Sequence, residues 1–344
     1  MQKCLLITGM HRSGTSALTG VISKLNVHLG RELMPSNTDN PKGFFENQKI
    51  YEFNEKVLKQ LKSSWDDIFV SNKLPTKSIQ YLDELKEIII DEFGQSDFFA
   101  IKDPRICLLF PLYSQVLKSL NIEIMVIISW RNPLEVANSL HKRNTFSYSK
   151  SFILWTKYFL FGEYYSRNHK RVFVLFDNVV LNPYSSIKNI SDKLELNFSQ
   201  LLETHKEEIE DFVDPDLKHN NVDVKVESDE CPKFIKKIMK YQNSFGSEAI
   251  YERLDLLREI FCEYEEMTSL PQIVLDHTKE LQTKEEKIAE QSKLIQNKDH
   301  RIQALKNRLT KELQAKEEKI AEQSKLIQNK ERRIQSLENS LTYL

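Results

Sequence analysis

The sequence predicts an α/β fold: a parallel sheet flanked by helices, followed by a long C-terminal helix. Four short apolar segments, near residues 3–8, 98–101, 123–130 and 171–176, have the length and composition of buried strands. Stretches with helical spacing of apolar residues separate them. Because parallel strands need a crossover connection that is usually a helix, this alternation favours a parallel sheet covered on both faces.

Helices are predicted near residues 15–26, 47–62, 78–93, 106–120, 133–142 and 149–168. The first begins after Gly14 and repeats apolar residues at helical spacing, from Leu18 to Leu25. Pro104 prevents the second strand from continuing, and Pro133 suits the first turn of the helix after the third strand. Local sequence therefore gives a reason for the start of the first helix, the end of the second strand and the start of the helix after the third strand.

At 344 residues and 40% hydrophobic content, the chain has room for one sizeable core and an appendage. We expect an α/β domain over residues 1–270 and a coiled-coil tail over residues 271–344. The net charge of −1 is too balanced for general nucleic-acid binding, so any anion site must be local.

The cysteines and the apolar segments indicate a cytoplasmic protein. Cys4, Cys107, Cys231 and Cys262 lack CxxC or metal-ligand spacing, which is typical of reduced thiols rather than of a disulfide framework. The first strand begins within about three residues of Met1, which leaves no room for a signal peptide. No apolar run approaches the roughly eighteen residues that span a bilayer, so we expect no transmembrane segment.

The tail contains an internal repeat. The sequence KEEKIAEQSKLIQNK at residues 284–298 recurs unchanged 32 residues later. Apolar residues recur every seven positions from Leu281 to Leu309 and, after one four-residue step, from Leu313 to Leu341. This heptad pattern with one stutter predicts a coiled coil that joins copies of the chain or binds a partner protein. Since many alternate seam positions are lysine or glutamine, the coiled coil should be weak, and a solvated single helix is the alternative.

A loop, Gly9-Met10-His11-Arg12-Ser13-Gly14, followed by Thr15-Ser16, joins the first strand to the first helix. The backbone N–H groups of such a loop and the helix N-terminus converge on one point and favour a phosphate-like anion. The segment nearly matches G-x-x-x-x-G-K-[ST], the phosphate loop of nucleoside triphosphatases. It differs because Thr15 stands where the lysine belongs, and the cation is Arg12, three positions earlier.

Together with two later segments, this loop resembles the phosphosulfate loop of sulfotransferases that use 3′-phosphoadenosine-5′-phosphosulfate (PAPS). The first later segment is the strand 124–130 with Arg131 at its end and Ser139 eight residues further on. In that family an arginine and a serine at this spacing hold the 3′-phosphate of the cofactor, and the resemblance implies these roles for Arg131 and Ser139. A guanidinium offers a planar fork of donors to phosphate oxygens, and a hydroxyl adds a neutral hydrogen bond.

The second later segment is Lys102-Asp103-Pro104-Arg105 at the end of a predicted strand. Some sulfotransferases carry Lys-Asp-Pro here, and the resemblance implies that Lys102 reaches the bridging region of the phosphosulfate. Asp103 and Arg105 are interpreted as a structural ion pair that holds the loop.

The resemblance implies a PAPS-dependent sulfotransferase that uses no metal ion. A transferring sulfuryl group carries less negative charge than a phosphoryl group, so positioning and fixed cations replace the metal. We expect Arg12 and Lys102 to supply these cations. Backbone and hydroxyl donors would come from the four residues Ser13, Gly14, Thr15 and Ser16.

The acceptor hydroxyl needs a general base within hydrogen-bond reach. Glu46, at the end of the stretch Lys42-Gly43-Phe44-Phe45-Glu46, is one candidate, because bacterial sulfotransferase-like proteins show a similar stretch in this region. Its alternative role is to complement the dipole of the following helix. His11 is the second candidate, with hydrogen bonding to the loop backbone as its alternative role. The sequence leaves the base open between the two.

Two other classes of function are the alternatives to a sulfotransferase. A P-loop kinase or nucleoside triphosphatase requires a lysine after Gly14, and a non-catalytic coiled-coil scaffold does not require Arg12, Lys102 and Arg131. The acceptor is expected to be a hydroxyl compound, and family analogy suggests a glycan. By the same analogy, residues 210–245 should cover the nucleotide.

Overall fold

The computed structural model describes residues 1–36, 43–69, 79–213, 231–267 and 270–341. The chain divides into two compact units, Met1–Thr268 and Ser269–Leu344. The assignment of residues 1–270 to an α/β domain and of residues 271–344 to a coiled-coil tail stays a prediction.

The first unit contains a sheet of four parallel strands in the order β2-β1-β3-β4. The strands are β1 (Lys3–Thr8), β2 (Phe98–Lys102), β3 (Glu123–Trp130) and β4 (Lys170–Leu175). The predicted α/β fold is confirmed. The helices, in chain order, are α1 (Thr15–Ser23), α2 (Gln48–Gln60), α3 (Leu82–Phe93), α4 (Ile106–Ser119), α5 (Pro133–Asn144), α6 (Tyr148–Tyr165), α7 (Phe176–Leu181), α8 (Pro183–Leu194), α9 (Ser199–Thr204), α10 (Lys206–Phe212), α11 (Lys233–Met239), α12 (Tyr251–Met267) and α13 (Leu270–Leu341).

The sheet is apolar on both faces because helices cover both faces. Cys4 and Leu6 of β1 belong to a buried cluster with α2, α3 and α4, whereas Leu5 and Ile7 belong to a cluster with α1 and α7–α10. A third cluster joins Trp130, at the end of β3, to α5, α6, α11 and α12. These clusters hold the strand ends in place.

All four strands end at the same edge of the sheet. β1 lies beside β3 although the chain visits β2 between them, so the connections that leave β1 and β3 diverge to opposite sides. Open α/β sheets bind ligands outside the carboxyl ends of their strands at such a switch point. The loop 9–14 follows β1 and Arg131 follows β3, so both lie at this switch point.

In the second unit, α13 is a single 72-residue helix. Among the residues that the structure describes, no helix is both long and apolar enough to cross a membrane.

Candidate active site

The loop 9–14 is fixed by close packing at its two glycines. Gly9 has φ +142°, and a Cβ there would lie 2.1 Å from the carbonyl oxygen of Ser129 on β3. Gly14 has φ +84° and precedes α1, and a Cβ there would lie 2.0 Å from the ring of Phe176. The Ser129 hydroxyl also donates to the Ser13 carbonyl at 2.7 Å. The loop is therefore held against β3 and α7 with the N-terminus of α1 at its end, a geometry that suits an anion.

Arg12 connects this loop to α5. Its Nε donates to the Ser139 hydroxyl oxygen at 2.7 Å, although the two residues lie 127 positions apart in the sequence. The Ser139 side chain is buried. The structure thus brings together the predicted phosphosulfate loop and one member of the predicted 3′-phosphate pair.

Arg131, the other member of that pair, is buried between a carboxylate and an aromatic ring. Its Nε donates to Glu135 Oε2 at 2.6 Å, one helical turn further on. Its guanidinium carbon lies 4.5 Å from the centre of the Phe176 ring, the same ring that contacts Gly14. Arg131 Nη2 is buried and makes no hydrogen bond with any residue of the described chain.

Ser13 shows the same feature, because its buried hydroxyl lacks a hydrogen-bond partner within the described ranges. Buried polar atoms in native structures are nearly always paired, so each exception needs an explanation. An anionic ligand between the loop and Arg131 would satisfy both atoms. These two residues and the two glycines fit an anionic ligand.

Lys102 ends β2 on the other side of the loop. Its ammonium donates to Glu46 Oε1 at 2.6 Å, to the Phe44 carbonyl at 3.0 Å and to the Ser16 hydroxyl at 3.2 Å. The side chains of Lys102 and Glu46 are 2% and 8% exposed, so this is a buried ion pair. All three donors of the ammonium are used in the structure.

Glu46 is positioned by its own backbone and by the start of α2. Its carbonyl accepts a hydrogen bond from the Met34 N–H at 2.8 Å. The next residue, Asn47, caps α2 by accepting from the Ile50 N–H at 3.1 Å and donates to buried Glu92 at 2.7 Å. Burial raises the pKa of the Glu46 carboxyl above its ordinary value, although the charge of Lys102 opposes this rise. A carboxylate with a raised pKa is a stronger base than an exposed one.

Arg105 makes contacts at this site beyond the ion pair with Asp103 that the sequence predicts. Its Nη1 lies 3.0 Å from Asp103 Oδ1, as the predicted structural pair requires, and 3.9 Å from Glu46 Oε2. It also pairs with Glu55 of α2 and stacks over the Tyr51 ring at 4.8 Å. The sequence contains one signal for the contacts of Arg105 with α2: Tyr51 and Glu55 lie one helical turn apart on the helix that follows Glu46.

His11 lies in the loop with its ring 4.5 Å from that of Trp65 and 5.8 Å from that of Tyr158. Its Nε2 is buried, and no residue in the described segments hydrogen-bonds to it. Burial lowers the pKa of His11 well below its ordinary value, and the charges of Arg105 and Lys102 lower it further. Burial and these charges therefore favour the neutral form of the imidazole.

Some predicted features cannot be placed. Lys42 lies outside the described residues, and so do residues 214–230, the central part of the segment expected to cover the nucleotide. Within the described ranges, no group of three or more histidine, cysteine, aspartate or glutamate side chains is arranged to hold a metal ion.

Comparisons with known proteins give similarities in structure only. No family model matches the chain, and no curated protein sequence matches it. Among solved structures, the sulfotransferase domain of the olefin synthase of Synechococcus is similar, with 16% identity, a TM-score of 0.38, and coverage of 64% of this chain and 84% of that chain. A sulfotransferase of Mycobacterium avium has 11% identity and a TM-score of 0.40, with 78% of this chain and 77% of that chain covered. A mouse sulfotransferase complexed with PAP has 14% identity and a TM-score of 0.36, with 75% and 89% covered. Similarity this distant does not transfer an activity.

Proposed function

We propose that the chain is a sulfotransferase, which moves a sulfuryl group from PAPS to an acceptor hydroxyl, with a glycan as the expected acceptor. The observation that carries the proposal is the hydrogen bond between Arg12 and Ser139. It joins an anion-binding loop without the usual lysine to the arginine–serine pair at the end of β3. A donor with a phosphosulfate at one end and a 3′-phosphate at the other requires two such anion sites side by side.

The proposed roles of Ser13 and Arg131 follow from their unpartnered atoms, and those of Arg12 and Ser139 follow from their position beside them. The loop N–H groups, the Ser13 hydroxyl and Arg12 hold the phosphosulfate. Arg131 uses Nε to fix its fork on Glu135, and its unpartnered Nη2 donates to the 3′-phosphate together with Ser139. Gly14, Thr15 and Ser16 contribute the start of α1, whose first N–H groups have no partner inside the helix.

In the proposed step, the acceptor oxygen forms a bond to sulfur while the bond from sulfur to the bridging phosphate oxygen breaks. The hydroxyl proton passes to the base, and the products are a sulfate ester and 3′-phosphoadenosine-5′-phosphate. Arg12 stabilises charge on the sulfuryl oxygens. Lys102 holds Glu46 in place, and it exchanges its longest contact, the Ser16 hydroxyl at 3.2 Å, for the bridging oxygen when the donor binds.

Glu46 is the proposed base, because its pKa is raised and it lies on the Lys102 side of the loop. His11 is the second candidate, favoured by one observation: its Nε2 is buried and unpartnered, while the Glu46 oxygens face Lys102 and Arg105. Both bases act in their deprotonated form, so activity should rise with pH through the pKa of either. Since the pKa of Glu46 is raised and that of His11 is lowered, the pH profile of the wild-type enzyme does not separate them.

The substitutions Arg143→Gln and Asp103→Asn distinguish the two candidate bases, because each shifts the pKa of only one of them. The positive charge of Arg143 lowers the pKa of His11 and is not among the principal charges that act on Glu46. The negative charge of Asp103 raises the pKa of Glu46 and is not among the principal charges that act on His11. If Glu46 is the base, Asp103→Asn moves the acidic limb of the pH–turnover profile to lower pH and Arg143→Gln leaves it in place. If His11 is the base, Arg143→Gln moves the limb to higher pH and Asp103→Asn leaves it in place.

The function itself is tested by incubating the full chain with PAPS labelled at sulfur and a panel of glycans and small alcohols. We expect label in an acceptor and a large loss with Arg12→Ala. Arg31→Ala is the matched control, because Arg31 is 55% exposed and pairs with Asp91 at the surface. The proposal is wrong if the wild-type chain neither transfers label nor binds PAPS.

The four cysteines are buried thiols outside any disulfide, which supports the proposal that the chain works in the cytoplasm. The tail contributes assembly rather than chemistry in this proposal, by self-association or by binding a partner protein.

A further inference from the structure

The helix α13 carries a stripe of leucine and isoleucine whose described side chains are exposed. The members Leu281, Ile288, Ile295, Ile302, Leu309, Leu313, Ile320, Ile327 and Ile334 are between 49% and 64% exposed. A continuous apolar stripe of this length on a charged helix is typical of a coiled-coil seam rather than of a solvated helix.

The two seam positions of this helix differ in character. When the leucine and isoleucine stripe is assigned to heptad position a, position d falls on Lys284, Gln291, Lys298, Leu305 and Glu312. After the stutter it falls on Lys316, Gln323, Lys330 and Leu337. Position a is therefore uniformly apolar, and position d is mostly polar.

This difference decides between orientations. In a parallel, in-register pair, each a residue packs against the same a residue of the second helix, so apolar layers meet apolar layers and polar layers meet polar layers. In an antiparallel pair, a packs against d, and nearly every isoleucine would face a lysine or glutamine. The parallel pair therefore buries more apolar surface, although it brings each position d lysine next to the same lysine of the second helix.

The flanking charges do not decide the orientation. In a parallel, in-register pair, each g residue lies beside the e residue five positions further along the second helix. This register places Arg301 beside Lys306, and it places Lys287 and Lys319 beside serine residues.

We propose that α13 is a homodimerisation surface, which pairs in parallel and in register with α13 of a second copy of this chain. A two-stranded seam lets the lysines at position d extend their ammonium groups to solvent. A stagger by one 32-residue repeat would align identical sequences but would bury only about half of the stripe. This pairing does not depend on the proposed activity.

Oligomeric state is measured on the full chain by light scattering. We expect twice the mass of one chain, and a return to the monomer mass in Ile302→Lys/Ile327→Lys, which places charges at two a positions. The matched control is Gln303→Lys/Gln328→Lys, because these exposed residues directly follow the two isoleucines but lie off the seam. A monomeric wild-type chain, a larger oligomer, or a dimer that survives the seam variant overturns the proposal.

Orientation and register are measured with the single variants Leu281→Cys and Ile334→Cys and a short thiol crosslinker. In a parallel, in-register dimer each variant crosslinks to itself. In an antiparallel dimer identical positions would lie on the order of 70–90 Å apart, and only mixtures of variants would crosslink. The wild-type chain, whose four cysteines are buried, is the control. Failure of both variants to crosslink to themselves in a dimeric protein overturns the parallel, in-register arrangement.

Discussion

Arg131 provides the sharpest test of the proposed nucleotide site, because its carboxylate partner Glu135 can be neutralised together with it. Its side chain is 7% exposed and that of Glu135 is 8% exposed, so the two form a buried pair. Removing one member of such a pair costs about 3–5 kcal/mol of stability, because the other charge is left buried and unpaired. Arg131→Met alone would therefore confuse unfolding with loss of binding.

The double variant Arg131→Met/Glu135→Gln avoids this problem. It replaces both charged side chains with neutral ones of similar length and leaves no buried charge without a partner, so we expect it to fold. A hydrogen bond from a charged group to an anion contributes about 1.5–3 kcal/mol, which corresponds to a loss of about 10- to 150-fold in affinity for a ligand with a 3′-phosphate.

The assay is calorimetric titration with 3′-phosphoadenosine-5′-phosphate and with adenosine 5′-phosphate, which lacks the 3′-phosphate. The wild-type chain should bind the first ligand about 10- to 150-fold more tightly than the second. The double variant should bind both ligands with the same affinity. Arg31→Ala, which removes an exposed arginine, is the control and should keep the preference. Equal binding of the two ligands by the wild-type chain, or a preference that persists in the double variant, would refute the role of Arg131.

Three further predictions concern turnover and assembly. Arg12→Ala should lower turnover more than the affinity for 3′-phosphoadenosine-5′-phosphate, because charge shifts at the sulfuryl group only during transfer; steady-state rates and calorimetry measure the two effects. Glu46→Gln should keep that affinity and lose about a hundredfold or more in turnover. Deletion of residues 278–344 should abolish the dimer seen by light scattering while turnover per site on a small acceptor is unchanged.

Each of these has a contradicting outcome. Small, equal effects of Arg12→Ala on binding and on turnover would remove the basis for its role. An active Glu46→Gln enzyme beside an inactive His11→Ala enzyme would move the base to His11. A truncated chain that cannot bind nucleotide would show that the predicted domain boundary is wrong.

The strands were predictable from the sequence because each is a short apolar run bounded by a residue with a clear local effect. Pro104 ends β2 just after Lys102, and Gly9 follows β1 where a side chain would meet the backbone of β3. The segment after β4 was less clear. Residues 176–194 form two helices, α7 and α8, divided at Asn182-Pro183, because proline suits the first turn of a new helix.

The candidate site was predictable in its residue types but not in its pairings. Glu135 stands one helical turn after Arg131, and this spacing predicts an ion pair, yet the sequence alone did not distinguish that pair from a free arginine. The contacts of Arg105 with Glu46 and Glu55, and of His11 with Trp65 and Tyr158, join segments far apart in the chain. Only the packing of α2 and α6 around the strand ends brings them together, and no local pattern encodes that packing.

The central claim is that the loop 9–14 and Arg131 together bind a 3′-phosphorylated adenosine nucleotide rather than a nucleoside triphosphate. The most direct measurement is calorimetric titration of the full chain with 3′-phosphoadenosine-5′-phosphate and, separately, with ATP and magnesium. We predict saturable binding of the first ligand and no comparable binding of the second. Tight binding of ATP with magnesium, with none of 3′-phosphoadenosine-5′-phosphate, would contradict the claim.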